Sequence, residues 1–98
     1  MSRNRVEIEG KLNHLEAIRY TPAGVPIVTF SIEHQSEQLE AGVQRSVSCH
    51  IQAMALGGVA EKVARVRGEA NAKCSGFIAM KNLKSSQLVL HVTSIEFS

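Results

Sequence analysis

Four basic side chains at loops or strand starts are the groups of this chain best suited to chemistry, and that chemistry is phosphate binding. Arg19 precedes a Pro/Gly turn, Arg45 lies near the start of a strand, and Lys81 and Lys84 lie in a polar loop near the end of the chain. Guanidinium and ammonium groups bind nucleic acids by neutralising phosphates and releasing counterions. Taken singly, each side chain is equally well explained as a solubilising charge; together they predict a binding surface.

Aromatic side chains can add base stacking to such a surface, but this chain has few of them. It contains one Tyr, three Phe and no Trp. Tyr20 lies in the same loop as Arg19 and is a candidate stacking residue. Phe77 has outward parity in its strand, where it would contact either a base or a protein partner. Phe30 has inward parity and is expected in the core.

Signatures of catalysis and of metal binding are absent from the sequence. There is no GxxxxGKS/T phosphate loop, no GxSxG nucleophile elbow and no Asp. The four His residues are scattered singly, and the two Cys residues have no CxxC or His-x3-His spacing beside them. Cys49 and His50 are neighbours on a strand and therefore point to opposite faces. We expect a protein that is not an enzyme and that has no cofactor and no bound metal.

Length and composition are typical of a small folded protein. The 98 residues are 44% hydrophobic and carry a net charge of +2. One domain spanning residues 1–98 can bury a modest core, whereas two domains cannot. The mildly basic charge predicts nucleic-acid binding that is weak and salt-sensitive. No apolar run approaches the roughly 20 residues that span a bilayer, and Cys49 and Cys74 are expected to be reduced, buried thiols of a cytoplasmic protein.

The hydrophobic pattern predicts five strands and one helix. Strand-like alternation covers residues 5–12, 25–35, 43–53, 72–81 and 88–97. After Gly57 and Gly58 the apolar spacing changes to three and four residues, which predicts a helix of about two turns ending before Gly68. The polar segment Ser36–Gly42 predicts a turn between the second and third strands.

This order of elements predicts an all-β protein, a five-stranded OB-fold barrel with one short helix between strands three and four. An SH3-like barrel lacks that helix, and a ferredoxin-like fold needs two. Gly10 interrupts the inward row of the first strand, where a barrel strand must bend. Strand three is expected to place a polar, uncharged row outside and to turn toward the core Val43, Val47, Cys49, Ile51 and Ala53.

Several segments resemble a known family. Asn4–Leu12, Thr21–Pro26 and Phe30–His34 resemble the bacterial single-stranded-DNA-binding protein superfamily. Within it, the chain is similar to the compact members that act in replication restart, through Glu40–Gly42, Gly76–Ile78 and Leu88–His91. The resemblance spans nearly the whole chain, although no single motif decides it.

The resemblance implies a homodimer that binds single-stranded DNA and contacts the PriA helicase and then a DnaT-like primosome protein. It implies a DNA face made from outward residues of strands two and three, including Ser48 and His50, with Arg19, Lys81 and Lys84 keeping the basic character of the loops. It places at the two-fold axis the first-strand residues Arg5, Val6, Glu7, Ile8, Glu9 and Lys11.

Departures from the family pattern predict weaker DNA binding. Ser48 lies where the family can carry a stacking tryptophan, and Gln35 lies where an arginine can occur. The loop between Met80 and Leu88 is shorter than the family pattern. Losing one base platform costs about 1–3 kcal/mol of binding free energy. The helicase contact is then expected to carry more of the function.

Two other classes of function stay open at this point. A protein-interaction OB module would dock on a helicase and touch DNA only through the complex, and the uncharged face of strand three favours it. An RNA-binding OB protein is also compatible, because a stacking face alone does not distinguish RNA from DNA.

Overall fold

A computed structural model describing all 98 residues shows a closed β-barrel. Its strands are β1 Val6–Asn13, β2 Arg19–Tyr20, β3 Pro26–Glu40, β4 Val43–Leu56, β5 Asn71–Met80 and β6 Leu88–Phe97, and its helix is α1 Gly58–Ala64. Five strands follow one another around the barrel in the order β1-β5-β6-β4-β3, and β3 pairs again with β1 to close it. The β4–β6 pairing is parallel and the others are antiparallel. The predicted all-β, five-stranded OB-type barrel with one short helix is confirmed.

The predicted position of the helix, between strands three and four, is wrong by one strand. Arg19 and Tyr20, predicted to lie in a loop, pair with Ile27 and Pro26 and form the short strand β2. A tight turn brings them there, because the Gly24 amide donates to the Thr21 carbonyl at 2.8 Å. The helix therefore lies between β4 and β5, and it contacts β3, β4 and β6 at one end of the barrel.

The β3–β4 hairpin is longer than the sequence predicted. Ser36–Gly42, expected to be a turn, continues β3 as far as Glu40, and only Ala41 and Gly42 connect the strands. Both connecting residues have positive φ, 52° and 78°, as in the two-residue turns whose twist matches that of the flanking strands. The polar composition was misleading because this part of the hairpin is exposed to solvent rather than packed on a core.

The outer half of this hairpin, residues 34–49, projects beyond the barrel, and we call it the arm. β1 pairs with β3 only between Ser31 and Glu33, and β6 pairs with β4 only from Ala53 onward, so the arm strands pair with each other alone. The prediction that Val43 and Cys49 face the core is wrong: both are exposed. Val43 and Cys49 belong to the alternating positions of β4 that carry mostly apolar side chains, but no other part of the chain packs over these positions in the arm. Val47 and Ile51 are half-buried, and Ala53 is buried.

Thirteen buried side chains form the core of the barrel. Val28, Phe30 and Ile32 alternate inward along β3, and each is at most 2% exposed. Ala60 and Val63 close one end from α1. Cys74 is also buried, and desolvation raises the pKa of its thiol to about 11, so the thiol stays protonated at neutral pH. The one helix, α1, has seven residues, too few to span a membrane.

Candidate nucleic-acid interface

A groove of about 360 Å³ on the outside of the barrel brings the first loop region and the last loop together. Arg19 comes from β2, and Lys81 comes from the loop that follows β5. The floor between them is formed by side chains of β3 and β4. The residues that line the groove include Arg19, Thr29, Gln52, Met54, Lys81 and Asn82.

The β2 strand fixes one rim of the groove. Arg19 is exposed, and its nearest anion is the Glu16 carboxylate at 3.8 Å, in an exposed (i, i+3) pair. Such surface pairs contribute little and are easily exchanged, so the Arg19 guanidinium stays available to a phosphate. Tyr20 follows it on the strand and is 62% exposed. The structure therefore places Arg19 in the groove and an accessible aromatic ring beside that rim.

The loop of residues 81–87 fixes the opposite rim. The Lys81 amide donates to the Gln87 carbonyl at 2.8 Å and closes the loop at its base. Within it, the Asn82 side-chain oxygen accepts from the Lys84 amide at 2.9 Å. Lys81 lines the groove, whereas Lys84 lies farther along the loop, exposed. The two lysines are thus presented by a loop with a defined backbone.

A preformed aromatic stack lies on the same outer face, next to the groove. Phe77 and His91 are cross-strand partners, and their rings stack with centroids 4.8 Å apart and an interplanar angle of 8°. His91 is in turn the register partner of Met54, which lines the groove. Phe77 remains 39% exposed, so the stack offers an accessible edge of π surface beside the cationic rims.

Sequence reasoning missed His91, Gln52 and Met54 as members of this face. Outward parity in their strands was the available signal. The pairing of Phe77 with His91 could not be predicted from the sequence, because a bulge at Ser75/Gly76 shifts the β5–β6 register by one residue.

Arg45 and Ser48 of the arm, and His50 at its base, are not brought into the groove. Arg45 donates to the Glu40 carboxylate at 2.6 Å, a much shorter ion pair than the 3.8 Å contact of Arg19 with Glu16, so the charge of Arg45 is compensated more closely. Ser48 lies opposite Gln35, and His50 lies opposite Glu33. Residues 33–50 contain three Glu and one Arg, a charge of −2, which leaves +4 on the rest of the chain. The positive charge of the chain is therefore concentrated outside the arm and its base.

The first strand has an open edge next to the barrel seam. β1 pairs with β5 from Val6 to Lys11, but its other side pairs with β3 only from Lys11 onward. The Leu12 amide points to the β5 side, where it donates to the carbonyl of Ala70, the residue just before β5. The Glu9 carbonyl points the other way, toward the Nδ1 atom of His34 at 2.6 Å. By alternation, the backbone groups of Glu7 face the open edge.

The remaining members of the predicted first-strand interface flank that edge. Arg5 precedes β1 and is exposed, whereas Val6 and Ile8 are half-buried. Lys11 donates to Glu69 at 3.1 Å, and this hydrogen bond, together with the charge of Glu69, raises the pKa of the lysine. No three His, Cys or Glu side chains of the protein lie close enough together to hold a metal ion.

Thr29, which lines the groove, carries a buried polar group whose effect on the stability of the barrel can be measured. The Thr29 hydroxyl is buried and has no hydrogen-bond partner. Replacing Thr29 with valine keeps the β-branched shape and removes the unsatisfied group, so we expect the free energy of unfolding to rise by about 1 kcal/mol. Urea denaturation measures it. A loss of stability would show that the hydroxyl has a bonding role.

Comparison with known proteins supports a relationship over the whole barrel. The family described as "Another single-strand binding protein family" matches residues 4–94. The Replication restart protein PriB of Nitrosomonas europaea is 46% identical over 92 residues, covering 94% of this chain and 85% of that protein. The PriB of Neisseria gonorrhoeae is 34% identical, covering 95% of this chain and 92% of that protein.

Solved structures agree with the sequence relatives. PriB from Ralstonia solanacearum superposes with a TM-score of 0.89 at 34% identity, covering 97% of both chains. The single-stranded DNA binding protein of Thermus aquaticus shares the fold, with a TM-score of 0.76 at 21% identity over 98% of this chain and 50% of that chain. With a barrel that superposes over nearly its full length and a relative at 46% identity, the chain belongs to the PriB family of replication restart proteins, within the single-strand binding proteins.

Proposed function

We propose that this protein is a non-enzymatic, single-stranded-DNA-binding accessory factor of the replication-restart primosome. Residues 1–98 act as one OB domain, as a homodimer in the cytoplasm. The observation that carries the proposal is the outer face of the barrel, where Arg19 and Lys81 flank a polar groove beside the Phe77–His91 stack. OB barrels hold unpaired strands by combining a positively charged groove with aromatic side chains on which bases stack.

The chemistry divides between the rims and the face. Arg19, Lys81 and Lys84 neutralise phosphates, which gives affinity without sequence preference. Tyr20 and the Phe77–His91 stack contact bases, whose faces are available only in a single strand. Arg45, Ser48 and His50 extend the contact along the arm. We assign these three residues a smaller contribution to DNA affinity, because the carboxylates of Glu33, Glu37 and Glu40 in the same hairpin repel phosphates.

Fluorescence anisotropy with a labelled single-stranded oligonucleotide at two salt concentrations tests the proposal. We expect measurable binding at low salt whose logarithm falls linearly with the logarithm of salt concentration, because each phosphate contact releases about 0.7 counterion from a single strand. Titration against an RNA of matched sequence addresses the RNA-binding class. Absence of binding to DNA at low salt would refute the DNA-binding function.

The partners we propose are the PriA helicase and then a DnaT-like primosome protein. The acidic, polar arm favours a second candidate function, a protein-interaction OB module that docks on a helicase with little DNA affinity of its own. Titrating the protein into purified PriA with and without single-stranded DNA separates the two. The leading proposal predicts DNA binding by the isolated protein, and the alternative predicts helicase binding alone.

Dimerisation is proposed through the open edge of β1. Replacing Glu7 with proline removes an amide that faces the open edge and leaves the β1–β5 hydrogen bonds in place, so we expect the dimer to dissociate. Light scattering should show twice the chain mass of 10.7 kDa for the wild type and a single chain mass for the variant. Glu7→Ala keeps the amide and serves as the control. A Glu7→Pro variant that remains dimeric would exclude this edge.

A further inference from the structure

Leu83 lies in an environment unlike that of the other leucines. It is 94% exposed, more than any other large apolar residue except Met1. Its neighbours in the loop of residues 81–87 are the two lysines assigned above to phosphate binding, Lys81 and Lys84. A leucine without contacts gains nothing from the fold of its own chain.

The loop holds Leu83 outward with a fixed backbone. The Lys81–Gln87 hydrogen bond closes it at 2.8 Å, and the Asn82 carbonyl accepts from the Ser85 amide at 3.2 Å. The Asn82 side chain caps the Lys84 amide, and the Ser85 hydroxyl accepts from the Gln87 amide at 3.0 Å. Three of these bonds enclose Leu83 in the sequence, and the fourth fixes the loop after it. The side chain is therefore displayed by a preorganised turn and loses little entropy on binding.

The loop also belongs to the groove. Lys81, Asn82 and Gln87 line the groove. In the sequence, Leu83 directly follows Asn82 and directly precedes Lys84. A strand whose phosphates contact Lys81 and Lys84 therefore passes its bases by the leucine. Base faces are largely apolar, and in duplex DNA leucine is one of the apolar side chains that insert between base steps and contact those faces. The faces of unpaired bases are accessible without unstacking a duplex. The chain has no Trp and only four Phe and Tyr residues in all. A leucine contact would therefore add to the protein surface that can pack against bases.

We propose that Leu83 is a base-contacting wedge that packs against the faces of unpaired bases while Lys81 and Lys84 hold the flanking phosphates. This inference rests on the proposed DNA-binding function and adds one specific contact to it. Met80 and Leu88, the exposed apolar residues at the two ends of this loop, pair with each other across the strands. The two lysines beside Leu83 favour a nucleic acid over an apolar protein surface as its occupant.

The test compares Leu83→Ala with the wild type on two ligands, an oligo(dT) and an abasic strand of the same length. We expect the variant to bind oligo(dT) about tenfold more weakly, as for the loss of part of a leucine's buried surface. Its salt slope on oligo(dT) and its affinity for the abasic strand should not change. Leu83→Phe should restore binding to oligo(dT). The matched control is Leu39→Ala in the arm, also exposed at 76%, which should bind like the wild type.

Several results would overturn the wedge. Unchanged oligo(dT) affinity in Leu83→Ala would show that the leucine does not touch bases. An equal loss on the abasic strand would assign the effect to the loop backbone, and a loss confined to helicase binding would assign Leu83 to a protein partner. Failure of the wild type to bind oligo(dT) is a separate outcome, which refutes the proposed function itself. Thermal melting of Leu83→Ala should match the wild type, since the side chain is exposed.

Discussion

Replacing Gly76 with alanine is expected to disrupt the barrel. Gly76 is buried on β5 at the bulge opposite β6. A Cβ there would overlap the carbonyl oxygen of His91 and lie 2.8 Å from its carbon and 3.1 Å from the Val92 Cα. All of these are backbone atoms of a paired strand, so none can rotate away. We expect a loss of about 3 kcal/mol or more of unfolding free energy, a large part of the roughly 5–15 kcal/mol of a small domain.

Gly10 is also crowded by a neighbouring strand, at the seam where β1 leaves β5 for β3. A Cβ at Gly10 would overlap the Glu33 carbonyl oxygen and lie 2.9 Å from both the Glu33 carbon and the Ile32 Cγ2. Gly10→Ala is therefore expected to destabilise the protein by a similar amount. Neither Gly10 nor Gly76 has a positive φ, so the cost is steric rather than conformational.

Urea denaturation followed by circular dichroism measures both variants. Gly58→Ala is the matched control, since Gly58 begins α1, has no positive φ, and has no atom within 4 Å of the place that an alanine Cβ would occupy. Alanine there should leave stability unchanged or raise it by up to about 1 kcal/mol. A Gly76→Ala protein with the wild-type midpoint would contradict the close approach of β5 and β6.

Removing the three cations of the groove rims is expected to abolish most of the salt dependence of DNA binding. The variant is Arg19→Ala with Lys81→Ala and Lys84→Ala. Three lost phosphate contacts should reduce the magnitude of the slope of log affinity against log salt by about 2. The free energy of unfolding should stay near the wild-type value, because exposed charges on loops contribute little to it.

A second triple variant controls for net charge. Lys62, Arg65 and Arg67 lie in α1 or just after it, are exposed, and do not line the groove. Replacing these three with alanine removes the same charge from a different surface. We expect that variant to keep a slope close to the wild-type slope. Equal slopes for the two variants would mean that DNA responds to overall charge and would remove the groove from the account.

Sequence patterns were sufficient for the barrel because its strands alternate against a core. The inward row of Val28, Phe30 and Ile32 is buried as predicted, and the Pro22–Gly24 turn lies where expected. Gly10 was recognised as a place where a barrel strand must bend. The pattern did not show that the β3 backbone at Glu33 approaches it closely.

The arm could not be predicted for a physical reason. Its strands lie in solvent and pair only with each other, so polar residues such as Ser36 and Gln38 carry no signal that distinguishes strand from turn. The same absence of a covering layer exposes Cys49, whose parity predicted burial.

The candidate site was predictable in part. The basic residues of the loops can be identified from the sequence. Once an OB barrel is assumed, its topology places Arg19 and Lys81 on the same groove, as the structure shows. The stacking of His91 on Phe77 could be predicted only from the register of β5 and β6, which the sequence pattern does not show. Compensation of Arg45 by Glu40 needed the two-residue turn that places them on paired strands.

The most direct test of the central claim, that the outer-face groove holds an unpaired strand, is an NMR titration of the labelled protein with oligo(dT). The account predicts the largest backbone amide shifts at Arg19, Gln52, Met54, Lys81 and His91, with α1 unaffected. Shifts concentrated on α1 or at the tip of the arm, with these five amides unmoved at saturating DNA, would contradict it.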